Sequence, residues 1–131
     1  MVTVDDFNAF CRALPATTYV MQWGGAHVWK VGGKVFAIGS VDGARLMVTF
    51  KAGELFYEIL RERPGLRPAP YLASRGLKWI QHFAAPGPGS DGLGDDGPGD
   101  DELRDHIRRS HRMVAQGLSK KARAELGLGA A

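Results

Sequence analysis

The chain has 131 residues, of which 44% are hydrophobic and 24% are charged, and it carries a formal net charge of +3. A chain of this length supports one hydrophobic core, so we expect a single domain over residues 1–131. No apolar run approaches the roughly 18 residues of a membrane span, and the acidic start is unlike a secretion signal. We therefore expect a cytoplasmic protein with no membrane partner. Cys11 is the only cysteine, which excludes an intramolecular disulfide.

The charges are unevenly distributed along the chain. Seven of the fourteen acidic residues fall between Asp91 and Asp105, and the rest of the chain carries sixteen Lys and Arg against seven acids. Clustered Lys and Arg release counterions when they neutralise phosphates, so a basic body with one acidic strip indicates a polyanion partner. A solvated surface without a partner would show the same composition.

The first half of the sequence predicts a helix followed by strands. Thr3 is a typical N-cap, and apolar residues at helical spacing predict a helix that ends near Pro15. Residues 16–25 have no clean period, and the double glycine before Ala26 indicates the start of a strand. Three β-rich runs between residues 27 and 51 are separated by Gly-Gly and Asp-Gly turns. They predict a three-stranded antiparallel meander.

The side-chain alternation in this meander leaves two alternatives open. The first turn places four apolar residues on one face, but an unshifted second turn places the apolar residues of the third run on the other face. Either a bulge changes the register, or both faces of the sheet are partly covered. The four residues that the first turn places on one face are Trp29, Val31, Phe36 and Ile38, and we predict that Trp29 and Phe36 are core residues.

The second half predicts two further helices and a strand. Residues 54–60 have helical spacing, residues 65–76 are typical of a loop, and residues 78–83 return to strand character. A helix starting at Asp100 or Asp101 carries an apolar stripe and ends at Gly117, before a short basic tail. The predicted apolar positions of the second helix are Leu55, Phe56, Ile59 and Leu60. Those of the last helix are Leu103, Ile107 and Val114.

Residues 86–100 have a distinct composition of six Gly, three Pro and four Asp. Such a segment buries too little apolar surface to offset its conformational entropy, so we expect a flexible loop. It contains a G-x-G-x-x-G pattern at Gly87, Gly89 and Gly92. That pattern lacks the strand and crossover helix of a dinucleotide site, and the nearby aspartates would repel phosphate. We therefore interpret the segment as a solvated linker.

Signals for catalysis or metal binding are weak elsewhere too. The four histidines lack the i, i+4 spacing that would place two of them on one helix face as metal ligands, and no nucleophile elbow is present. Cys11 lies on the apolar side of the first helix, which is typical of a buried structural thiol. We therefore expect no catalytic residue, no metal and no cofactor, and a protein that is not an enzyme.

Basic residues interleaved with aromatics are the main functional signal. Cations hold phosphates while flat side chains stack on or wedge between bases, so this mixture is typical of nucleic-acid binding. Alternatively, the aromatic rings pack the loop onto the sheet, and a row of helical arginines is a solvated face. The candidate nucleic-acid-binding residues are Lys30, Lys34, Arg67, Tyr71, Arg75, Lys78 and Trp79, with Arg108 and Arg112 from the row Arg104, Arg108, Arg112 on the last helix.

Several separated motifs resemble the MmcQ/YjbR family in the family's order. They include W-G-G at residues 23–25, V-G-G-K-V-F-A at residues 31–37 and P-G-L-R-P-A-P-Y-L at residues 64–72. The resemblance implies an α+β, CyaY-like fold in which an antiparallel sheet is packed with helices, and a double-wing DNA-binding role. Within the family pattern, His111 stands where Tyr is frequent, and residues 86–100 are longer and more acidic than the usual connection. Lys34 matches the family's hairpin lysine, and the positions that match its central signature are Arg67, Pro68, Tyr71 and Trp79.

Our leading hypothesis is a non-enzymatic DNA-binding protein with a regulatory role, in which contacts to the DNA backbone dominate. The alternative is a protein-interaction adaptor that binds an acidic partner on the same face, and an enzyme acting on a small anion ranks third. We predict that four cations converge on one anion-binding surface: Lys34, Arg67, Arg75 and Lys78. The sequence does not define the oligomeric state.

Overall fold

A computed structural model describes residues 3–42, 45–70, 72, 75–83 and 100–128 of the chain. This part contains four helices and six strands. The helices are α1 (Val4–Ala13), α2 (Gly53–Leu60), α3 (Asp100–Gln116) and α4 (Lys120–Glu125). The strands are β1 (Thr17–Gln22), β2 (Ala26–Val31), β3 (Lys34–Asp42), β4 (Arg45–Lys51), β5 (Leu66–Pro68) and β6 (Trp79–His82).

Helix α1 begins at a capping box, as its sequence predicts. The Thr3 hydroxyl accepts a hydrogen bond from the Asp6 backbone N–H at 3.0 Å, and the Asp6 carboxylate accepts one from the Thr3 N–H at 3.3 Å. Two N–H groups at the helix start are thereby satisfied. Phe7 and Cys11 are fully buried. Phe7 lies against Gly39, where an added Cβ would be 2.6 Å from the ring, so this packing requires glycine.

The six strands form one antiparallel sheet in the order β1-β2-β3-β4-β6-β5. Helices α1, α2 and α3 bury their apolar side chains in one cluster against one face of this sheet, which we call the inner face. The opposite face, which we call the outer face, carries the alternate side chains of each strand. The predicted α+β class with an antiparallel sheet packed with helices is confirmed.

A β-bulge decides which residues of the meander reach the core. Trp29 pairs with Ala37, but Lys30 pairs with Val35, so Phe36 is the extra residue between the two pairs. The register shift keeps Trp29 and Phe36 on the inner face, together with Val48 and Phe50 of β4. The bulge alternative is therefore correct. Ile38 lies on the outer face, so its predicted position on the same face as Trp29 and Phe36 was wrong, because the alternation did not include the extra residue.

Ser110 of α3 compensates for the break that the bulge leaves between β3 and β4. The last paired residues of these two strands are Ala37 and Phe50. Beyond them, the buried Ser110 hydroxyl donates to the Phe36 carbonyl at 2.6 Å and accepts from the Lys51 N–H at 2.8 Å. One side chain thus satisfies two backbone groups that the sheet does not pair.

Three elements differ from the sequence-based prediction. Residues 17–22 form β1, so the meander has four strands and the glycines of residues 24–25 belong to a hairpin turn. Residues 66–68, predicted as loop, form the short edge strand β5, which pairs with β6. The basic tail contains α4, whose N-cap Ser119 accepts a hydrogen bond from the Ala122 N–H at 3.0 Å. Short edge elements carry little periodicity, which explains why the pattern missed them.

The apolar face of α2 was also partly mispredicted. Tyr57 and Leu60 are its buried residues, whereas Leu55 and Ile59 are 70% and 53% exposed. Helical spacing alone does not decide which of these residues face the core. The contacts of α2 with β5 and β6 bury Tyr57 and Leu60 and leave Leu55 and Ile59 exposed. The apolar stripe of α3 is confirmed, since Leu103, Ile107 and Val114 are all buried.

The predicted flexible loop at residues 86–100 falls outside the described residues, apart from the start of α3 at Asp100. The G-x-G-x-x-G pattern lies there too. Within the described ranges, every helix is too short or too polar to cross a lipid bilayer.

Candidate nucleic-acid interface

One row of paired residues runs across the outer face. Val28 pairs with Ile38, Ile38 with Thr49, Thr49 with Gln81, and Gln81 with Arg67. Paired residues of an antiparallel sheet share a face, so the row changes from apolar in β2 to polar and then cationic at the β5 edge. Thr49 and Gln81 are both buried. Hydrogen-bonding groups therefore lie at the base of this face.

A cleft of about 780 Å³ lies over this row. Its base includes Ile38, Thr49 and Gln81, and it is bordered by Trp23 of the β1–β2 turn and by Arg75 of the segment after β5. The volume falls in the ~300–1,000 Å³ range of small-ligand sites. The cleft is also lined by Ala26, Ser40, Pro70 and Leu72. It therefore combines apolar contact area with a few hydrogen-bonding groups and one full positive charge.

Backbone hydrogen bonds hold the described part of the segment after β5 in place. The Ala69 N–H donates to the Trp79 carbonyl at 3.0 Å, which ties the segment to β6. The N–H groups of Arg75 and Leu77 both donate to the Leu72 carbonyl, at 3.1 and 3.0 Å. The wall that carries Arg75 is thus anchored to the sheet at one end and closed by a turn.

Arg67 is pre-positioned at the edge of this face. Its Nε and Nη2 both donate to Gln81 Oε1, at 2.8 and 2.6 Å, and its guanidinium lies 4.8 Å from the centre of the Phe83 ring. The side chain is nevertheless exposed. Because two contacts already fix the planar fork, less rotamer entropy is lost when its remaining N–H groups bind an anion.

Two further predicted residues belong to the outer face. Lys30 alternates with the core residues Trp29 and Val31, and Trp79 precedes the core residue Ile80, so both side chains point to the outer face. Both are half-buried. The structure therefore places Lys30, Arg67, Arg75 and Trp79 on one side of the sheet. The predicted site residue Tyr71 lies outside the described residues.

Trp23 is the residue of this face that sequence reasoning overlooked. Its side chain is 66% exposed, and its backbone has a φ of +50°. A bulky residue in the left-handed region is strained, and such strain is concentrated at functional sites. The W-G-G motif was noted for its family resemblance alone. A tryptophan immediately before two glycines, where a turn prefers a small residue, was the signal that could have identified it.

The predicted convergence of four cations is only partly reproduced. Arg67 contacts Gln81, and both Gln81 and Arg75 line the cleft, so these two arginines share one site. Lys34 is exposed at the turn between β2 and β3. The Lys78 ammonium lies 4.7 Å from the centre of the Tyr57 ring and is therefore directed toward α2, on the inner side. The loop after β5 returns both Arg75 and Lys78 to the sheet. Arg75 lines the cleft on the outer face, whereas Lys78 is directed to the inner side.

Arg108 and Arg112 lie on α3 and therefore belong to the helical side of the molecule. Arg108 forms an ion pair with Asp105, and Arg104 pairs with Asp101 at 3.2 Å. Acids three residues earlier on the helix therefore reach two members of the arginine row. These arginines do not extend the outer face.

The surroundings of two buried titratable groups, His106 and Cys11, shift their pKa values. Burial, together with the Arg109 charge, lowers the pKa of His106, whose ring stacks on Phe50 with 5.1 Å between centres. An Arg109 Nη1 donor lies 3.0 Å from His106 Nδ1, an arrangement that requires a neutral ring. Burial also raises the pKa of the Cys11 thiol, which disfavours the reactive thiolate. Within the described ranges, no cluster of three His, Cys, Asp or Glu could hold a metal ion.

The fold and the outer-face site define an α+β protein whose antiparallel sheet has helices on one face and a mixed polar and aromatic cleft on the other. The YjbR family model matches residues 12–113. The chain belongs to the YjbR family. Its structure is similar to the crystal structure of Deinococcus radiodurans protein DR2400, which has a DUF419 domain, with a TM-score of 0.75 and 26% sequence identity over 97% of this chain and 89% of that chain. No curated protein matches the chain.

Proposed function

We propose that the protein binds DNA through the outer face, without catalysing a reaction, in a regulatory role. The observation that carries this proposal is the cleft in which the exposed Trp23 ring and the Arg75 guanidinium border a polar base. Arg67 and Lys30 add positive charge on the same side of the sheet. Such a surface offers cations to phosphates and a flat ring to bases.

The cleft also favours a particular form of DNA. An indole at a cleft mouth can stack only on a base that is accessible from its flat side, and bases inside a duplex are covered by their neighbours. Gln81 and Thr49 offer amide and hydroxyl groups for the edge of such a base. We therefore expect single-stranded or locally opened DNA to bind more tightly than the matching closed duplex.

The hairpins of the meander supply a geometry for the double-wing role that the family resemblance implies. The β1–β2 turn lies at the same end of the sheet as the paired strand ends Asp42 and Arg45 of β3 and β4, because the four strands form an antiparallel meander. Two such hairpins would straddle a DNA backbone while Trp23, in the first of them, contacts a base.

Fluorescence anisotropy with labelled single-stranded and duplex oligonucleotides tests this proposal. Log affinity should fall linearly with log salt, and Arg67→Ala and Arg75→Ala should each lower the slope by about one. Trp23→Ala should weaken single-strand binding by about 1–3 kcal/mol, which is the typical value of one stacked base. Arg104→Ala, which removes a paired arginine of α3, is the matched control and should change neither quantity. Absence of affinity for either form at low salt would refute the proposal.

An adaptor that binds an acidic protein on the same face is the second candidate. It is favoured by the same cations, since Arg75 and Lys30 are exposed or half-exposed and Arg67 has free N–H groups. Acidic proteins lack the condensed counterions of DNA, so their binding should show a much shallower salt dependence. Loss of binding in Arg75→Ala without a change in Trp23→Ala would favour this candidate.

A further inference from the structure

A second cavity lies on the other side of the molecule, between the end of α1, the side of α3 and the C-terminal segment that includes α4. Its volume is about 460 Å³. Three arginines line it, namely Arg108, Arg112 and Arg123, and apolar side chains including Leu14 and Leu128 form the rest of its wall. This arrangement places three cations around one partly apolar space that is open to solvent.

The positive charge in this cavity is not neutralised by its lining. Among the described residues, no carboxylate lines the cavity, and only Arg108 of the three arginines has an ion pair, to Asp105. Arg123 Nε is buried, and in the described part of the chain it has no hydrogen-bond partner. Buried N–H donors are nearly always paired in folded proteins, so an acceptor for this atom is expected.

The nearby end of α1 does not supply that acceptor. The Pro15 carbonyl, which follows this helix, accepts a hydrogen bond from His111 Nε2 at 2.8 Å, and Arg123 Nε reaches no acceptor among the described residues. A helix C-terminus contributes only about half a negative charge, against one full positive charge on each guanidinium. The lining that the described residues form therefore favours an anion.

We propose that this cavity binds the phosphate group of a small, soluble phosphate monoester. Guanidinium groups form bidentate, charge-assisted hydrogen bonds to phosphate, and three of them match a group that carries up to two negative charges and several acceptor oxygens. The cavity is larger than a phosphate alone, and Leu14 and Leu128 offer apolar contact to the organic part of the ester. The site is separate from the outer face and does not depend on DNA binding.

Phenyl phosphate is a suitable probe, because it combines a phosphate with a compact apolar body. In an NMR titration of the full chain, we expect saturable shifts of the Ala115 and Gln116 amides, which border the cavity, and unchanged Ile38 and Thr49 amides on the outer face. Arg112→Gln and Arg123→Gln should each weaken binding by about tenfold or more, as expected for loss of a hydrogen bond to a charged group. Arg104→Gln, on the same helix but outside the cavity, should change affinity by less than about twofold.

The outcomes are distinguishable. Arg112 is exposed, so Arg112→Gln keeps the test valid even if Arg123→Gln disturbs folding. Absence of saturable binding at millimolar phenyl phosphate, or an equal effect of Arg104→Gln, would overturn the site. Inorganic phosphate binding as tightly as phenyl phosphate would overturn the apolar part of the assignment. If a 5′-phosphorylated oligonucleotide displaces phenyl phosphate and its unphosphorylated form does not, the phosphate comes from a DNA end and the small-molecule assignment is wrong.

Discussion

Replacing Ser110 with alanine should destabilise the fold far more than the loss of one small side chain suggests. The Ser110 hydroxyl is fully buried and holds two backbone groups, the Phe36 carbonyl and the Lys51 N–H, at the point where β3 and β4 separate. Alanine has nearly the same size, so no cavity forms, and the cost arises from the two groups that lose their partner. An unsatisfied buried group costs about 1–3 kcal/mol, so the two groups together should cost roughly 2–6 kcal/mol.

Urea denaturation followed by circular dichroism measures this loss directly, because two-state unfolding gives the free energy by linear extrapolation. Ser40→Ala is the matched control, since Ser40 is half-buried on the outer face and forms no side-chain hydrogen bond with the described residues. It should change the free energy of unfolding by less than about 0.5 kcal/mol. If Ser110→Ala also falls within that range, the hydroxyl does not stabilise the junction of β3 and β4, and the account of the bulge is wrong.

Three further variants test the core, the strained turn and the buried histidine. Phe36→Ala should cost about 3–5 kcal/mol in urea denaturation, because the side chain is fully buried, and a loss below about 1 kcal/mol would contradict its inner-face position. Trp23→Gly should raise stability by roughly 0.5–1 kcal/mol by relieving the positive φ, while it weakens DNA binding; a loss of stability would show that the indole packs against the fold. Because the pKa of His106 is lowered in the folded state, the unfolded chain binds more protons below about pH 6.5, and stability should fall as the pH drops from 7.5 to 5.5. His106→Gln should flatten this dependence, and an equally steep profile in the variant would assign it to other groups.

The sequence was sufficient for the elements that carry strong local signals. The capping box of α1, the glycine turn after Val31 and the apolar stripe of α3 are each specified by residues close together in the chain. The sequence predicts the bulge only as one of two alternatives. It shows that two unshifted turns would place the apolar residues of the meander on opposite faces, but it does not show which residue is the extra one. Phe36 is the extra residue, and its carbonyl accepts a hydrogen bond from Ser110 of α3, which lies 74 positions away in the sequence.

The candidate site was predictable in composition but not in placement. Composition identified Arg67, Arg75 and Lys78 as neighbours in the chain, but the direction of each side chain depends on the strand and loop geometry around it. Lys78 is drawn toward the Tyr57 ring, while Arg75 faces the cleft. Trp23 was missed as a candidate site residue. The features that identify it are its position at the cleft, its exposure and its positive φ, and a residue pattern shows none of these.

An NMR titration of the full chain with a short single-stranded oligonucleotide at low salt tests whether DNA binds the outer face. We predict shifts that saturate at the indole N–H of Trp23, the guanidinium Nε–H of Arg67 and the backbone amides of Ile38, Thr49 and Gln81, with little change along α3. Shifts concentrated on the α3 arginines, or no shifts at all, would contradict DNA binding at the outer face.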